Sequence, residues 1–239
     1  MTLAPPASAS QTERPAVDVA GLTVGVLGGT GPLGGGLARR FAAGGLTVVV
    51  GSRDAAKGAR IADEILADVP GGTVVGTDNA GTARQADVLV VAVPYEGHAE
   101  LLRGLAGLLA GKIVVDAVNP LGFDKQGPYR LEVAEGSAAQ QAAALLPESR
   151  VTAAFHHVSA PLLNDLSVPE LVLDVLVLGE GEDREATDTV QALAELIPGV
   201  RGVYAGRLRN AGQVEAFTAN LIAINRRYKA HAGIRVTDV

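Results

Sequence analysis

The chain has 239 residues, 48% hydrophobic and 19% charged, which fits one large globular domain or one with a small annex and excludes a disordered polypeptide. It contains no Cys, which removes disulfides, thiolate zinc sites and a Cys nucleophile. A formal net charge of -6 argues against nucleic acid as a partner, and no apolar run reaches the roughly 18 residues of a membrane span.

Residues 1–20 mix Ala, Pro, Ser and Thr with Glu13, Arg14 and Asp18. They lack the basic start and apolar stretch of a signal peptide, so they read as a flexible tail on a cytoplasmic protein. Residues 22–27 form a short β-rich run, followed at once by glycines and a helix over 33–43 that Gly44-Gly45 ends. A second strand spans 46–50 and a second helix 54–67, closed by Pro70-Gly71-Gly72; a weak third strand spans 73–75. Residues 86–93 make the strongest strand, stopped by Pro94, with a helix over 98–109 and a strand over 112–116 behind it. Strands alternating with helices predict an α/β fold: a Rossmann-type, doubly wound parallel sheet.

The rhythm then loosens, and residues 117–136 read as loop. Ser137, with Gln140 three residues on, is a capping-box pattern opening a helix to Leu146. Strands are expected over 150–154 and 171–178, and helices over 182–196 and 210–230, the last with Val214, Phe217, Leu221, Ile222 and Ile224 on its apolar face. A boundary near residue 165 divides the chain into a dinucleotide-binding domain, 21–165, and a small C-terminal helical domain, 166–239.

Gly29-Thr30-Gly31-Pro32-Leu33-Gly34 is a G-x-G-x-x-G motif placed directly after the first strand and at the opening of the first helix. Gly29 permits the tight turn, Gly31 lets the backbone approach a pyrophosphate, and Gly34 lets helix pack on strand. The second strand ends in Gly51-Ser52-Arg53, with Lys57 one helical turn beyond, where an NAD enzyme would carry an acid. Arg53 can fork onto a 2′-phosphate and Ser52 can donate to it, which predicts NADP(H). Asp54 is expected to cap the helix that follows.

Ligands of such sheets sit beyond the carboxyl ends of the strands, so Val93, Pro94 and Tyr95 are expected to flank the nicotinamide ribose. His98 reads as an ordinary first-turn helix residue. Asn119 stands where it could bond the cofactor, although Asn-Pro also makes turns. His156 and His157 form a pair for which a general acid, a heterocycle-binding role or plain loop residues are all open; a metal site is not expected, because adjacent side chains diverge. The late cations Arg207, Arg209, Arg226, Arg227 and Lys229 read as a solvated face, or as a patch for an acidic second substrate.

Several stretches resemble the NADPH-dependent reductases of the 8-hydroxy-5-deazaflavin coenzyme F420, especially the actinobacterial members. They are Gly28 to Gly34, Gly51 to Arg53, Val93 to Glu96, Ala154 to Ala160, Tyr204 to Asn210, Val214-Glu215 and Leu221 to Tyr228. The resemblance spans about residues 22–236. It implies hydride transfer between the nicotinamide C4 and the deazaflavin C5, in a homodimer whose only ligands are these small-molecule cofactors. By position it implies that Thr30 to Leu33, Ser52, Arg53 and Lys57 hold NADP, and that Tyr95, Asn119 and Ala160 lie near its ribose or nicotinamide. It further implies that His156 and Val158 line the deazaflavin pocket, that the segment near Ala232 closes it, and that the C-terminal domain completes the cleft and the dimer contact. His156 is then expected to position the deazaflavin rather than to be an essential acid or base. The chain departs from archaeal members in carrying Arg207 where they have Pro, and a small Ala232. Two other readings stay open: another NADP reductase on this scaffold, such as an imine or keto reductase, and a non-catalytic NADP sensor.

Overall fold

The computed structural model of the chain describes residues 17–239. The strands are β1 (Thr23–Leu27), β2 (Thr47–Ser52), β3 (Thr73–Asp78), β4 (Val88–Val91), β5 (Ile113–Asp116), β6 (Leu121–Asp124), β7 (Gly127–Arg130), β8 (Arg150–Ala153), β9 (Leu173–Gly179) and β10 (Val200–Tyr204). The helices are α1 (Pro32–Ala43), α2 (Ala55–Asp68), α3 (Asn79–Gln85), α4 (Tyr95–Leu109), α5 (Ala138–Leu145), α6 (Ala160–Asn164), α7 (Arg184–Glu195) and α8 (Ala211–Tyr228).

One sheet runs in the order β10-β9-β8-β5-β4-β1-β2-β3. The six strands from β3 to β8 are mutually parallel, whereas β9 lies antiparallel to β8 and parallel to β10. The expected doubly wound sheet is therefore present, extended by two reversed strands. Its central strands are Val-rich and buried on both faces, as parallel strands covered by helices must be. The two faces carry separate cores. One gathers Leu37, Phe41, Ile65, Leu163, Val190 and Leu193 from α1, α2, α6 and α7; the other gathers Leu102, Leu105, Ala138, Ala142 and Val214 from α4, α5 and α8. Residues beyond 165 share both cores with those before it, so the expected boundary there separates no hydrophobic core.

Five elements, α3, β6, β7, α6 and β10, were not expected. Short α3 is initiated by Asp78, whose carboxylate accepts from Gly81 N–H at 2.6 Å. The stretch expected as loop contains the β6–β7 hairpin, turned by Asp124 accepting from Gln126 and Gly127. The five-residue α6 and the edge strand β10 are too short to show a period. Helix α4 opens at Tyr95, three residues early. Of the expected tail, 1–16 lies outside the described residues, while Val19 is 5% exposed and packs into the first core.

Two devices fix the ends of the chain's second half. Buried Arg40 donates to the carbonyls of Leu162, Leu163, Asp165 and Val168, tying α6 and its exit to α1. The segment after α8 turns back along β9: Asp174 N–H donates to Ile234 O at 2.8 Å, and Val236 N–H to the Asp174 carboxylate at 2.6 Å. Arg201 binds that same buried carboxylate through two nitrogens and donates to Val236 O and Val239 O.

Helix α7 rests directly on β10 at Gly202, where a Cβ would lie 2.5 Å from the Gln191 Cα. Gly202→Ala is expected to destabilise the fold by about 1–3 kcal/mol through overpacking, as measured by urea unfolding.

Candidate functional site

The strand order reverses between β1 and β4, which is where doubly wound sheets open a crevice. A cleft of about 580 Å³ lies there, lined by Gly28, Thr30 and Gly31 from the β1–α1 turn, Ser52, Arg53 and Lys57 from the β2–α2 turn, and Val93 and Pro94 beyond β4. Backbone contact builds it. A Cβ on Gly34 would lie 2.5 Å from Gly28 O, and one on Gly28 2.5 Å from Ala92 O. The left-handed turn residue is Gly28, at φ +80°, rather than Gly29, where a Cβ would press on Val50 at 2.8 Å. Gly31 caps α1 without a side-chain bond and Pro32 opens it. The first-turn amides of Leu33 and Gly34 thus have no intrahelical acceptor, as an anion site requires.

Ser52 is 7% exposed, and its hydroxyl accepts from Asp54 N–H at 3.3 Å, leaving its proton to donate. Asp54 caps α2, accepting from Ala56 N–H at 2.9 Å, as expected. Arg53 and Lys57 are exposed, and among the described residues neither meets a carboxylate. Two unpaired cations beside an N-terminal helix end favour an incoming anion. The residues present therefore fit a phosphorylated dinucleotide with a phosphate near Arg53.

The other expected residues lie deeper. Asn119 is half-buried and donates to His156 O at 2.8 Å, while Thr218 on α8 donates to the same carbonyl at 3.0 Å. Asn119 therefore braces two loops against α8, and its amide nitrogen is already committed. Val158 is 7% exposed and belongs to the core; Tyr95, Ala160 and Ala232 are half-buried. Ala232 N–H donates to Asn225 Oδ1 at 2.6 Å, which folds the segment after α8 back on the helix. None of Asn119, His156, Val158, Ala160 and Ala232 lines the 580 Å³ cleft.

Phe155 adopts φ +65°, a strained conformation for a non-glycine residue, and its ring packs edge-on against Phe41. The turn sends the two histidines apart. His157 accepts from Leu176 N–H at 3.3 Å. His156 is 2% exposed, its two ring nitrogens have no hydrogen-bond partner among the described residues, and it lies with Asp116 and Glu215 so that their polar atoms are within 4.8 Å of one another. Burial pushes His156 down to about 3 and His157 down to about 4, so both are neutral near pH 7.

His98 is not an ordinary helix residue. It is fully buried, with Nε2 2.6 Å from Asp116 Oδ2 and Nδ1 3.0 Å from Gln141 Oε1. Burial opposes its charge, but the Asp116 hydrogen bond and charge outweigh that and raise its pKa. Glu215 sits 2% exposed on α8 and accepts from the Ala138 and Ala139 amides at the start of α5. Burial pushes its carboxyl up to about 7, with the Asp116 charge adding and the two amides opposing. The available signals for this cluster were an acid closing an apolar strand at Asp116, and an acid between buried positions at Glu215.

A family model described as NADP oxidoreductase, coenzyme F420-dependent, matches residues 23–120. The chain is 37% identical over 226 residues to the F420-dependent NADP reductase of Methanothermobacter thermautotrophicus, covering 91% of this chain and 96% of that one. It is also 37% identical over 232 residues to the F420-dependent NADP reductase of Methanocaldococcus jannaschii, covering 91% and 99%. Among solved structures it resembles a candidate F420-dependent NADP reductase of Arthrobacter sp. FB24, with a TM-score of 0.74 and 25% identity, covering 91% of this chain and 100% of that one.

Folded Glu215 keeps its proton to about pH 7, against an ordinary value of 4.5. The folded state then binds more protons than the unfolded one between those values, so stability falls as pH rises through that window. His98 acts in the same direction, and His156 and His157 oppose it below their ordinary value of 6.5. Comparing Glu215→Gln with wild type isolates the carboxyl. The variant is expected to gain roughly 3 kcal/mol relative to wild type between pH 4.5 and 8, measured by urea unfolding at each pH.

Proposed function

We propose that this chain, which belongs to the family of coenzyme F420-dependent NADP reductases, catalyses reversible hydride transfer between NADP(H) and the 8-hydroxy-5-deazaflavin coenzyme F420. The observation that carries the cofactor half is the crevice at the β1–β4 reversal, with an uncapped helix end on one side and, on the other, Arg53 and Lys57, unpaired among the described residues. The pyrophosphate lies on the α1 amides, and Ser52, Arg53 and Lys57 hold the 2′-phosphate. Val93, Pro94 and Tyr95 flank the nicotinamide ribose. His156 and Val158 back the deazaflavin site from beneath, Asn119 and Ala160 shape its cofactor side, and the segment at Ala232 closes it.

The hydride passes between two rings, so the coenzymes carry the redox chemistry and the protein supplies alignment and exclusion of water. No metal takes part in this reading, and neither nucleic acid nor a membrane is a partner.

The active form is a homodimer in the cytoplasm, a setting that a chain without Cys suits. Phe217, Ile224 and Tyr228 are exposed at 38%, 38% and 73%, and their spacing puts them on one stripe of α8. Phe123 and Tyr129 on the hairpin packed beside α8 are exposed at 66% and 47%. An apolar stripe of this extent supports a protein–protein contact.

Mixing the protein with NADPH and the oxidised deazaflavin should bleach the deazaflavin's visible absorbance, far faster than with NADH. Binding of NADPH without bleaching would favour another acceptor or an NADP sensor. Arg53→Ala is expected to raise the KM for NADPH about ten- to a hundredfold, the worth of one charge-assisted bond, with the KM for NADH nearly unchanged. Ile224→Glu with Tyr228→Glu is expected to give a monomer in sedimentation velocity.

A further inference from the structure

Asp116 at the end of β5, His156 beyond β8 and Glu215 on α8 turn their polar atoms to one gap, all within 4.8 Å of one another. They are 0%, 2% and 2% exposed. His98 from α4 stands behind Asp116 at 2.6 Å. Among the described residues, His157, Tyr95 and Glu135 are the remaining titratable groups around them: His157 follows His156 in the chain, and Gln141 joins the other two. Both nitrogens of the His156 imidazole are without a partner among the described residues. A neutral imidazole in that state can take a proton at one nitrogen while giving one from the other. Two carboxyl groups facing one buried gap do not both ionise cheaply. The cluster is electroneutral when Asp116 pairs with protonated His98 and the Glu215 carboxyl keeps one proton.

We propose that this cluster stores and delivers the proton that reduction of the deazaflavin needs in addition to the hydride, with Glu215 holding it and His156 passing it on. The assignment rests on the function proposed above and gives His156 more than a positioning role. The C–H bond at the nicotinamide C4 breaks, and the hydrogen leaves with both electrons to form a C–H bond at the deazaflavin C5. That ring gains one negative charge, which a proton at a ring nitrogen neutralises. His156 gives the proton from one nitrogen and takes the Glu215 proton at the other, and Glu215 is reprotonated from solvent. Hydride transfer the other way reverses each step. Glu215, Asp116 and His98 act through His156 and are positioning residues. A divalent cation suits the gap less well, because the N-terminus of α5 points its amides at Glu215, and His98, whose cationic form Asp116 favours, flanks that carboxylate.

Two measurements test this, one of them without either coenzyme. Infrared spectra of the free protein should show a buried protonated carboxyl at pH 6 that fades by pH 8.5 and is absent from Glu215→Gln. Calorimetric titration of the enzyme–NADP+ complex with the deazaflavin, in two buffers of different ionisation enthalpy, gives the protons exchanged on binding; exchange by the deazaflavin itself is common to all variants and cancels. Glu215→Gln and His156→Asn should each change that number near pH 7 while Kd stays within about threefold, and should lower kcat about a hundredfold with KM little changed. His156→Asn leaves the α5 cap intact and serves if Glu215→Gln does not fold. Exposed Glu132→Gln is the control and should match wild type. Proton exchange equal to wild type in both variants, no carboxyl band in wild type, or one equivalent of zinc retained after dialysis overturns the assignment. A wild type that does not bind the deazaflavin overturns the proposed function, and the assignment with it.

Discussion

Backbone-to-backbone contact at the carboxyl end of β1 is the constraint on which the rest depends. Gly34 lies against Gly28 O and Gly28 against Ala92 O, each so close that a Cβ would stand 2.5 Å from the oxygen. These contacts hold the start of α1 against β1 and β4 together. They fix where the free amides of α1 emerge, and they set the floor of the crevice that Arg53 and Lys57 overlook. A side chain at either glycine would part the strands from the helix before it touched any ligand.

The dinucleotide half was legible because its signals are local. The glycine run, the apolar strand before it and the missing acid after Ser52 all lie within 31 residues of one another, and each has a mechanism that depends only on neighbours in the chain. The turn glycine was misplaced by one residue, since spacing does not say which glycine takes the positive φ. The hairpin over 121–130, the five-residue α6 and β10 escaped because none is long enough to show a period.

The deeper cluster was not legible in the sequence as a cluster. His98, Asp116, His156 and Glu215 stand on α4, β5, the exit of β8 and α8, the first and last 117 positions apart in the chain. Only the closure of the sheet brings them together, and no interval along the chain carries that information. His98 illustrates the point: a polar residue in a first helical turn is normally solvated, yet here it is fully buried against a strand-end Asp. Asn119 and Thr218, themselves neighbours, both donate to the His156 carbonyl and so tie the loop after β5 and the exit of β8 to α8.

The reversal of β9 relative to β8 leaves a further mark. The two strands pair only at Thr152–Ala153 with Leu178–Gly179, so the first half of β9 diverges from its neighbour. The returning C-terminal segment lies along that opening, bonded through Asp174 and locked by Arg201. An open strand flank is a template on which other chains can pair. These last residues thus act as a built-in guard against aggregation, and any truncation or fusion that lifts them would convert a closed sheet margin into an adhesive one.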